Sequence, residues 1–180
     1  GYLTRSLDKD PILLCRTHRT RVEMNAIVRA TLRDKRAPLM VGDRVICLRN
    51  AYINDMLLAN GFRGRVTALG YSTNPAQINA NVAFADEGVE LRAGVLNKHQ
   101  FGADKTFQKI EEVPGSPSNW SQVGLLFDYG CAMTTHKAQG SQASSVIVNV
   151  ERMPRDSDED FRRWIYTSFT RSSSHLAVIL

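Results

Sequence analysis

Residues 125–142 join a mostly apolar run to a cluster of polar side chains whose types suit phosphate chemistry. The apolar run, residues 125–133, predicts a buried strand. The polar residues that follow it are Thr134, Thr135, His136, Lys137, Gln139 and Gly140. Ligand sites in open α/β sheets lie outside the carboxyl ends of strands, so we expect these side chains to reach a cleft.

Each residue type in this cluster has a chemical use. Gly140 allows backbone amides to approach a phosphate closely, and threonine hydroxyls, His136 and Lys137 can each contact a nucleic-acid phosphate. The alternative is a strand followed by an ordinary polar turn. The complete pattern His-Lys-x-Gln-Gly, with an apolar strand before it and residues 145–150 after it, is far more specific than Thr-His-Lys alone.

Arg171 is the second candidate for chemistry. It follows apolar residues whose i, i+3, i+4 and i+8 spacing predicts an amphipathic helix: Phe161, Trp164, Ile165 and Phe169. Ser157 with Asp160 predicts a capping box at the start of that helix, and residues 176–180 predict another buried strand. A guanidinium near the helix end could counter charge on a transferring phosphoryl group. Alternatively, it merely complements the helix dipole.

The first part of the chain predicts a strand followed by a helix. Residues 11–15 form a short apolar run, and Thr20 with Glu23 predicts a capping box. Two groups of basic residues lie in this region: Arg16, His18, Arg19 and Arg21, then Arg33, Lys35 and Arg36. Either group could be a solvated face, but together with a net charge of +5 they favour a polyanionic partner.

Residues 38–118 have a different sequence pattern, which predicts short strands that alternate with turns. Strands are predicted at residues 44–49, 65–69, 78–84 and 89–92, with a turn at Asn60-Gly61. A small barrel is a natural way to close them. Asp86 and Glu87 imitate the acidic end of a magnesium-binding strand, but no Gly-x-x-x-x-Gly-Lys-Ser/Thr pattern occurs in the 180 residues. We therefore predict a hairpin turn there.

Composition limits the class of protein. A chain of 180 residues can form one domain or two small ones. It has no apolar run of membrane-spanning length and no signal-peptide pattern, so we expect a cytoplasmic protein without a membrane partner. The cysteines Cys15, Cys47 and Cys131 lie in apolar runs and predict reduced, buried thiols. The histidines are too scattered to predict a metal site.

Residues 128–142 and 166–171 resemble motifs V and VI of the superfamily 1B helicases, the RecD and Dda group. Residues 11–29 are similar to motif IV. Thr17, Asn25 and Arg29 match that motif, whereas His18 stands where Asn is usual. Apart from this resemblance, Asn25 and Arg29 could be surface residues of an amphipathic helix. The order Gly42-Asp-Arg-Val, Asn50, Asn60-Gly61, Gly64-Arg-Val and Val82-Ala-Phe-Ala-Asp resembles the SH3-like 2B domain of these enzymes.

The resemblance implies an α/β fold. A RecA-like domain of the P-loop type, but without the phosphate loop, would occupy residues 1–37 and 119–180 as domain 2A. An inserted SH3-like β-barrel would occupy residues 38–118 as domain 2B, with residues 112–118 as the return linker.

The resemblance also implies roles. Arg171 would be an arginine finger, and Gly140, Gln142 and Gln139 would lie at ATP. Family members usually carry Glu at position 142, where it can meet the ribose. The residues expected to contact single-stranded DNA are Thr17, His18, Thr134, His136 and Lys137. The Mg²⁺ ligands and the phosphate loop would belong to an N-terminal RecA-like domain of the same polypeptide, so the chain is expected to be a C-terminal fragment that is inactive alone.

The implied activity of the complete enzyme is ATP-dependent DNA unwinding with 5′ to 3′ translocation, and other repair or replication proteins are further partners that this function would allow. Two other functions stay open. A non-catalytic nucleic-acid-binding module would keep the basic surface and the barrel but would not need Arg171. An accessory subunit of a recombination nuclease complex would bind a partner protein instead.

Overall fold

A computed structural model describes residues 11–32, 37–53, 56–115 and 117–180. The basic group Arg33, Lys35 and Arg36, the start of the predicted domain 2A and Ser116 of the predicted return linker lie outside the described residues. The chain divides into two compact units: residues up to Asn25 with Cys131–Leu180, and Ala26–Gly130. In the ranges given, no helix combines the length and the hydropathy that a membrane span requires.

The structure contains eleven strands and three α-helices in these ranges. In chain order they are β1 (Ile12–Cys15), α1 (His18–Leu32), β2 (Arg44–Cys47), β3 (Ala51–Ile53), β4 (Met56–Leu58), β5 (Arg63–Gly70), β6 (Gln77–Phe84), β7 (Val89–Asn97), α2 (Trp120–Val123), β8 (Phe127–Tyr129), β9 (Ala132–Thr134), β10 (Ala143–Asn149), α3 (Asp158–Phe169) and β11 (Ser172–Ile179).

The first unit is built on a four-stranded sheet with the order β11-β10-β1-β9. All three pairings are parallel, with Leu13 of β1 opposite Ala132 of β9 and Ile147 of β10. Parallel strands carry near-continuous apolar runs because both faces are covered, and β1 is buried throughout. The α/β class that the sequence predicted is therefore confirmed.

β11 is an exception to this burial. Leu176 and Val178 are 41% and 42% exposed, so the prediction of a fully buried strand at residues 176–180 is wrong. The reason is position: β11 ends the sheet and pairs with β10 alone among the described strands. An apolar run cannot distinguish a central strand from an edge strand.

The caps of the two longer helices differ in how well the sequence predicted them. Helix α3 begins as predicted, since Asp160 N donates to Ser157 Oγ at 3.1 Å and the hydroxyl donates to the Asp160 carboxylate at 2.7 Å. Helix α1 begins at His18, two residues before Thr20, so the predicted cap at Thr20 is wrong. Thr17 caps it instead, because Thr20 N donates to Thr17 Oγ1 at 3.1 Å.

The predicted strand at residues 125–133 is in fact two strands. β8 pairs antiparallel with β2 in the second unit, whereas β9 pairs parallel with β1 in the first. Gly130 stands where the chain leaves β8, and a Cβ atom there would lie 2.8 Å from the Val45 carbonyl carbon. Gly130 N also donates to Arg44 O at 2.8 Å. Only glycine permits so close a backbone approach.

The second unit has a five-stranded antiparallel sheet with the order β7-β6-β5-β2-β8, and a separate two-stranded sheet of β3 and β4. Val45, Phe84 and Phe127 are fully buried in its core. The strands predicted at residues 44–49, 65–69, 78–84 and 89–92 are confirmed as β2, β5, β6 and β7. The assignment of this region to an SH3-like domain, and the domain boundaries, stay predictions.

Two turns and two cysteines also match their predictions. Gly61 adopts a φ of 101°, as a tight Asn-Gly turn requires, and Asp86 lies in the turn between β6 and β7, where Arg63 pairs with it at 3.2 Å. Cys15 and Cys47 are buried thiols, whereas Cys131 is partly exposed, so its predicted burial is wrong. Burial and the nearby Glu151 carboxylate raise the pKa of Cys15 to about 12.

Candidate functional site

The predicted site residues lie at two opposite ends of the parallel sheet. Thr17 and His18 lie two and three residues after the end of β1, and Thr134 ends β9, so these residues share the carboxyl edge. Gln142 directly precedes β10 and Arg171 directly precedes β11, which places them at the amino edge. The segment of residues 135–142, which we call the crossing segment, therefore runs from one edge of the sheet back to the other.

This arrangement corrects one expectation. We expected all the polar residues after residue 133 to lie at the carboxyl ends of the strands. Gln139, Gly140 and Gln142 instead belong to the part of the crossing segment that leads to the amino edge. The physical reason is that β10 is parallel to the preceding strands, so the chain must return along the sheet before β10 can start.

His18 is an exposed imidazole at the carboxyl edge. Desolvation, Arg21 and Lys137 together lower its pKa below the ordinary value of histidine, in that order of importance. Thr135 N donates to Cys15 O at 2.9 Å, which holds the start of the crossing segment beside the end of β1 that leads into α1. This edge therefore combines exposed His18, His136 and Lys137 in a cationic setting that suits phosphate.

The two threonines that open the crossing segment are buried. Thr134 is 5% exposed and Thr135 is 2% exposed. The carbonyl of Thr134 accepts hydrogen bonds from Lys137 N at 2.9 Å and Ala138 N at 3.2 Å, and Thr135 Oγ1 shares a hydrogen bond of 2.9 Å with Ser168 Oγ. In this structure Thr134 therefore shapes the turn that presents His136, and its own hydroxyl is shielded from solvent.

Thr17 is also held in place by hydrogen bonds. Its hydroxyl caps α1 and contacts Thr20 Oγ1 at 2.9 Å. Glu151, which the sequence analysis did not identify, accepts from Arg16 N at 2.9 Å and from the hydroxyl of Thr20. The available signal was an acidic residue two positions after the apolar strand β10. Glu151 thus orients the loop that carries Thr17 and His18.

Arg16 contributes to the same loop, although it was predicted only as part of a basic group. Its Nη2 donates to Asp156 Oδ1 at 2.6 Å, and its guanidinium lies 5.4 Å from the centre of the Trp164 ring. Arg19, by contrast, is exposed and pairs with Glu23. The basic group is therefore not one continuous solvated face.

Arg171 lies against the end of the crossing segment. Its Nη1 donates to the carbonyl of Ser141 at 3.2 Å, its Nε to the carbonyl of Thr167 at 3.1 Å, and its Nη2 to Thr170 Oγ1 at 3.2 Å. The guanidinium is only partly buried. The structure thus brings Arg171 and the glycine turn together on the amino edge.

Gly140 has the geometry of an open backbone turn. Its φ is 86°, and a Cβ atom built on it would meet no atom within 4 Å. Gln139 and Gln142 on either side are exposed. A positively charged guanidinium, an uncovered turn and two free-standing amide side chains are groups that suit a polyphosphate and its ribose.

Asn25 and Arg29 are not surface residues of α1, so that alternative is wrong. The amide of Asn25, 1% exposed, donates to Ala132 O at 3.1 Å and accepts from Ala132 N at 2.8 Å. Arg29 is buried within the second unit, where it binds Asp43 Oδ2 at 3.1 Å. No group of three or more His, Cys, Asp or Glu residues in the described part of the chain could hold a metal ion.

Comparison with known proteins gives a partial match in sequence. Residues 129–179 match the family of the UvrD-like helicase C-terminal domain. This stretch contains the whole crossing segment and Arg171. No curated protein sequence matches the chain.

The fold is similar to that of solved helicase structures. Pif1 helicase from Bacteroides in complex with ADP-AlF3 and ssDNA has a TM-score of 0.59 and 18% identity, over 96% of this chain and 41% of that one. Pif1 helicase from Candida albicans has a TM-score of 0.59 and 18% identity, over 94% and 44%. A structure of two coordinating Pif1 helicases at forked dsDNA has a TM-score of 0.57 and 18% identity, over 94% and 39%.

These similarities confirm the predicted resemblance to the C-terminal region of a helicase, which in sequence covers residues 129–179. They also confirm the α/β fold with a RecA-like parallel sheet. The chain spans 39–44% of the length of these three helicases.

Proposed function

We propose that the chain is the C-terminal motor region of an ATP-dependent DNA helicase that moves 5′ to 3′. In the complete enzyme it would share an ATP site with an N-terminal RecA-like domain and contact single-stranded DNA. The observation that carries the proposal is the crossing segment, which begins beside His18 at one edge of the sheet and ends against Arg171 at the other. One short stretch of chain thus joins two sites that both suit phosphate.

The amino edge supplies the groups for ATP. Arg171 would balance the charge on the γ-phosphoryl group as it is transferred to water, which is the role of an arginine finger. Gly140 leaves its backbone uncovered for a phosphate, and Gln142 can hydrogen-bond the ribose. The Mg²⁺ ligands and the phosphate loop would belong to the N-terminal RecA-like domain. Pif1 from Bacteroides with ADP-AlF3 supports a nucleotide site in this fold.

The carboxyl edge supplies the groups for DNA. His18, His136 and Lys137 are exposed there and can bind backbone phosphates, while Thr17 and Thr134 hold the loops that carry them and could reach the DNA if those loops open. Contacts to phosphates fix the position of the strand without reading its sequence. The ssDNA-bound Pif1 structure with the same fold supports this assignment.

The test is the activity of the complete enzyme. We expect this region, joined to its N-terminal RecA-like domain, to hydrolyse ATP in the presence of single-stranded DNA and to unwind a duplex that has a 5′ overhang. The 180-residue chain alone should give no turnover above the blank. Salt-sensitive DNA binding without ATPase activity in the complete enzyme would indicate a non-catalytic binding module. Capture of a nuclease subunit with no DNA affinity would indicate an accessory subunit.

His136 should link DNA to turnover. In the complete enzyme we expect His136→Ala to raise the DNA concentration for half-maximal ATPase by about two- to tenfold, because one hydrogen bond to a phosphate is lost. The measurement is ATPase rate against oligo(dT) concentration. His99→Ala, an exposed histidine in the second unit, is the matched control and should have no effect. If half-maximal concentration and maximal stimulation both stay unchanged, His136 has no part in the coupling.

His18 should make DNA binding depend on pH. In the free protein, desolvation, Arg21 and Lys137 lower its pKa, so its contribution to stability is present above the ordinary histidine pKa and is lost as the pH falls. A bound phosphate counters those cations and raises the pKa of His18. Binding then takes up a proton, and we expect DNA affinity to rise by up to about tenfold per pH unit as the pH falls.

Fluorescence anisotropy with oligo(dT) at constant ionic strength, from about pH 8 to about pH 6, measures this effect. His18→Gln keeps a hydrogen-bonding side chain but cannot titrate, so its affinity should change less with pH than that of the wild type. Equal slopes for the two proteins would show that His18 does not contact the phosphate.

A further inference from the structure

We propose that Glu151 is a positioning residue for the DNA site, and that Thr17 acts on DNA through the loop it caps rather than by a direct contact. The inference rests on the function proposed above. It comes from the hydrogen bonds of residues 16–20, which join β1 to the first turn of α1 and which we call the β1–α1 turn. Glu151 fixes this turn, and the turn presents exposed His18 to a phosphate.

Both oxygens of the Glu151 carboxylate bind the β1–α1 turn. Oε2 accepts from Arg16 N at 2.9 Å, and Oε1 accepts from the Thr20 hydroxyl. The two contacts lie on either side of Thr17 and His18 in the chain. Hydrogen bonds to an ionised carboxylate are about twice as strong as those between neutral groups. Glu151 therefore restrains the backbone both before and after His18.

The hydrogen bond between the two threonine hydroxyls has a fixed direction. A hydroxyl carries a single proton, and Thr20 gives its proton to Glu151. In the 2.9 Å contact between Thr17 Oγ1 and Thr20 Oγ1, the donor is therefore Thr17. Thr17 Oγ1 in turn accepts from Thr20 N at 3.1 Å. The Thr17 proton is thus already used, so this hydroxyl cannot donate to a phosphate oxygen while the turn is closed.

Arg16 is held by the same part of the first unit. Its Nη2 donates to Asp156 Oδ1 at 2.6 Å, and its side chain is only 18% exposed. Asp156 is itself fixed, because its Oδ2 accepts from Met153 N at 2.9 Å. Asp156 and Glu151 both belong to the segment between β10 and α3. Two carboxylates of one segment therefore hold the β1–α1 turn.

The charge of Glu151 is unfavourable for DNA. A carboxylate repels a phosphate, so the removal of a negative charge near the site would by itself tighten DNA binding. A positioning role predicts the opposite result for a substitution that also removes the hydrogen bonds. The sign of the change in affinity therefore distinguishes the two effects.

The first test compares two substitutions of Glu151 in the complete enzyme, by anisotropy of labelled oligo(dT). Glu151→Ala should weaken binding about tenfold, roughly the value of one hydrogen bond to a charged group. Glu151→Gln should stay within about twofold of the wild type, because its oxygen can accept from Arg16 N and its amide can donate to the Thr20 hydroxyl. Glu23→Ala, which removes an exposed acidic charge from α1, should not weaken binding.

A double-mutant cycle tests whether Glu151 acts through His18. In a His18→Gln background we expect Glu151→Ala to weaken oligo(dT) binding less than about twofold, because residues that act as a unit are not additive. Thr17→Ala and Glu151→Ala should likewise not add. Full additivity in either pair would overturn the inference, as would tighter binding by Glu151→Ala.

A measurement without DNA checks the turn itself. In the 180-residue chain, Glu151→Ala should shift the Arg16 and Thr20 amide NMR signals and speed Arg16 amide exchange about tenfold or more, whereas Glu151→Gln should restore them. The Val146 amide of β10 should stay unchanged in both variants, which shows that the sheet is intact. Unchanged Arg16 and Thr20 signals in Glu151→Ala would overturn this inference and leave the proposed helicase function standing.

Thr20→Val is a second variant in case Glu151→Ala unfolds the first unit. It keeps the contact of Glu151 with Arg16 N but breaks the hydrogen-bond chain to Thr17. We expect it to weaken oligo(dT) binding about threefold, the value of one ordinary hydrogen bond. Unchanged affinity would overturn the inference. A wild-type enzyme that does not bind oligo(dT) would overturn both this inference and the proposed function.

Discussion

Arg171→Ala in the complete enzyme is expected to lower DNA-stimulated ATP turnover by about a thousandfold or more, the effect of removing an arginine finger. DNA affinity should stay largely intact, because Arg171 lies at the amino edge of the parallel sheet and the residues that we propose for DNA binding lie at the carboxyl edge. The measurements are ATPase rate at saturating oligo(dT) and anisotropy of labelled oligo(dT). Retained DNA binding with lost turnover separates a catalytic role from simple unfolding.

The contacts of Arg171 raise an alternative that the controls must address. Its guanidinium donates to the carbonyls of Ser141 and Thr167, so its loss could disturb the crossing segment itself. Arg171→Lys keeps the charge but not the planar geometry, and it should still lose most of the activity. Arg163→Ala, on the exposed face of the same helix, should change turnover less than about twofold. Normal turnover in Arg171→Ala would exclude Arg171 from the mechanism.

Arg29→Ala is expected to lower the free energy of unfolding of the second unit by about 3–5 kcal/mol, the usual result of removing one partner from a buried ion pair. Arg29 and Asp43 are 10% and 4% exposed in their side chains. The guanidinium also donates to Tyr129 Oη at 2.6 Å and to Ala37 O at 3.0 Å, and it stacks on the Tyr129 ring. Without it, the buried carboxylate of Asp43 loses its contact with the Arg29 guanidinium.

The free energy of unfolding of the second unit can be measured separately from that of the first. It has two tryptophans, Trp120 in the second unit and Trp164 in the first. In a Trp164→Phe background, the fluorescence of Trp120 during urea unfolding reports the second unit by itself. Arg19→Ala removes an exposed arginine from the same helix and should cost less than about 1 kcal/mol. A similarly small loss for Arg29→Ala would show that the buried pair adds little stability.

Apolar periodicity was enough to predict most of the strands and the helix α3. It predicted β2, β5, β6 and β7 and the parallel sheet, because in each of these elements the apolar residues of the local sequence pattern are the ones that become buried. It failed where burial depends on distant neighbours. Residues 125–133 form one apolar run, but the split at Gly130 is required by contact with the Val45 backbone, which no local pattern encodes. The exposure of β11 depends in the same way on its place in the sheet.

The candidate site was likewise predicted from the sequence only in part. Residue types and spacing singled out His136, Gly140 and Arg171, and the structure places each of them where an open, charged edge exists. The sequence did not show that these residues divide between two edges, since that depends on the direction of β10. It also missed Glu151 and Ser168, whose roles come from hydrogen bonds to residues far away in the chain.

The crossing segment is hydrogen-bonded near both of its ends to the C-terminal end of α3. Thr135 near its start is bonded to Ser168 in the last turn of α3, and Ser141 near its end is bonded to Arg171, just beyond that helix. A small shift of α3 along its axis would therefore move both hydrogen-bonded contacts. Because Ser168 and Arg171 are only three residues apart, a shift of this helix end would move the start and the end of the crossing segment together.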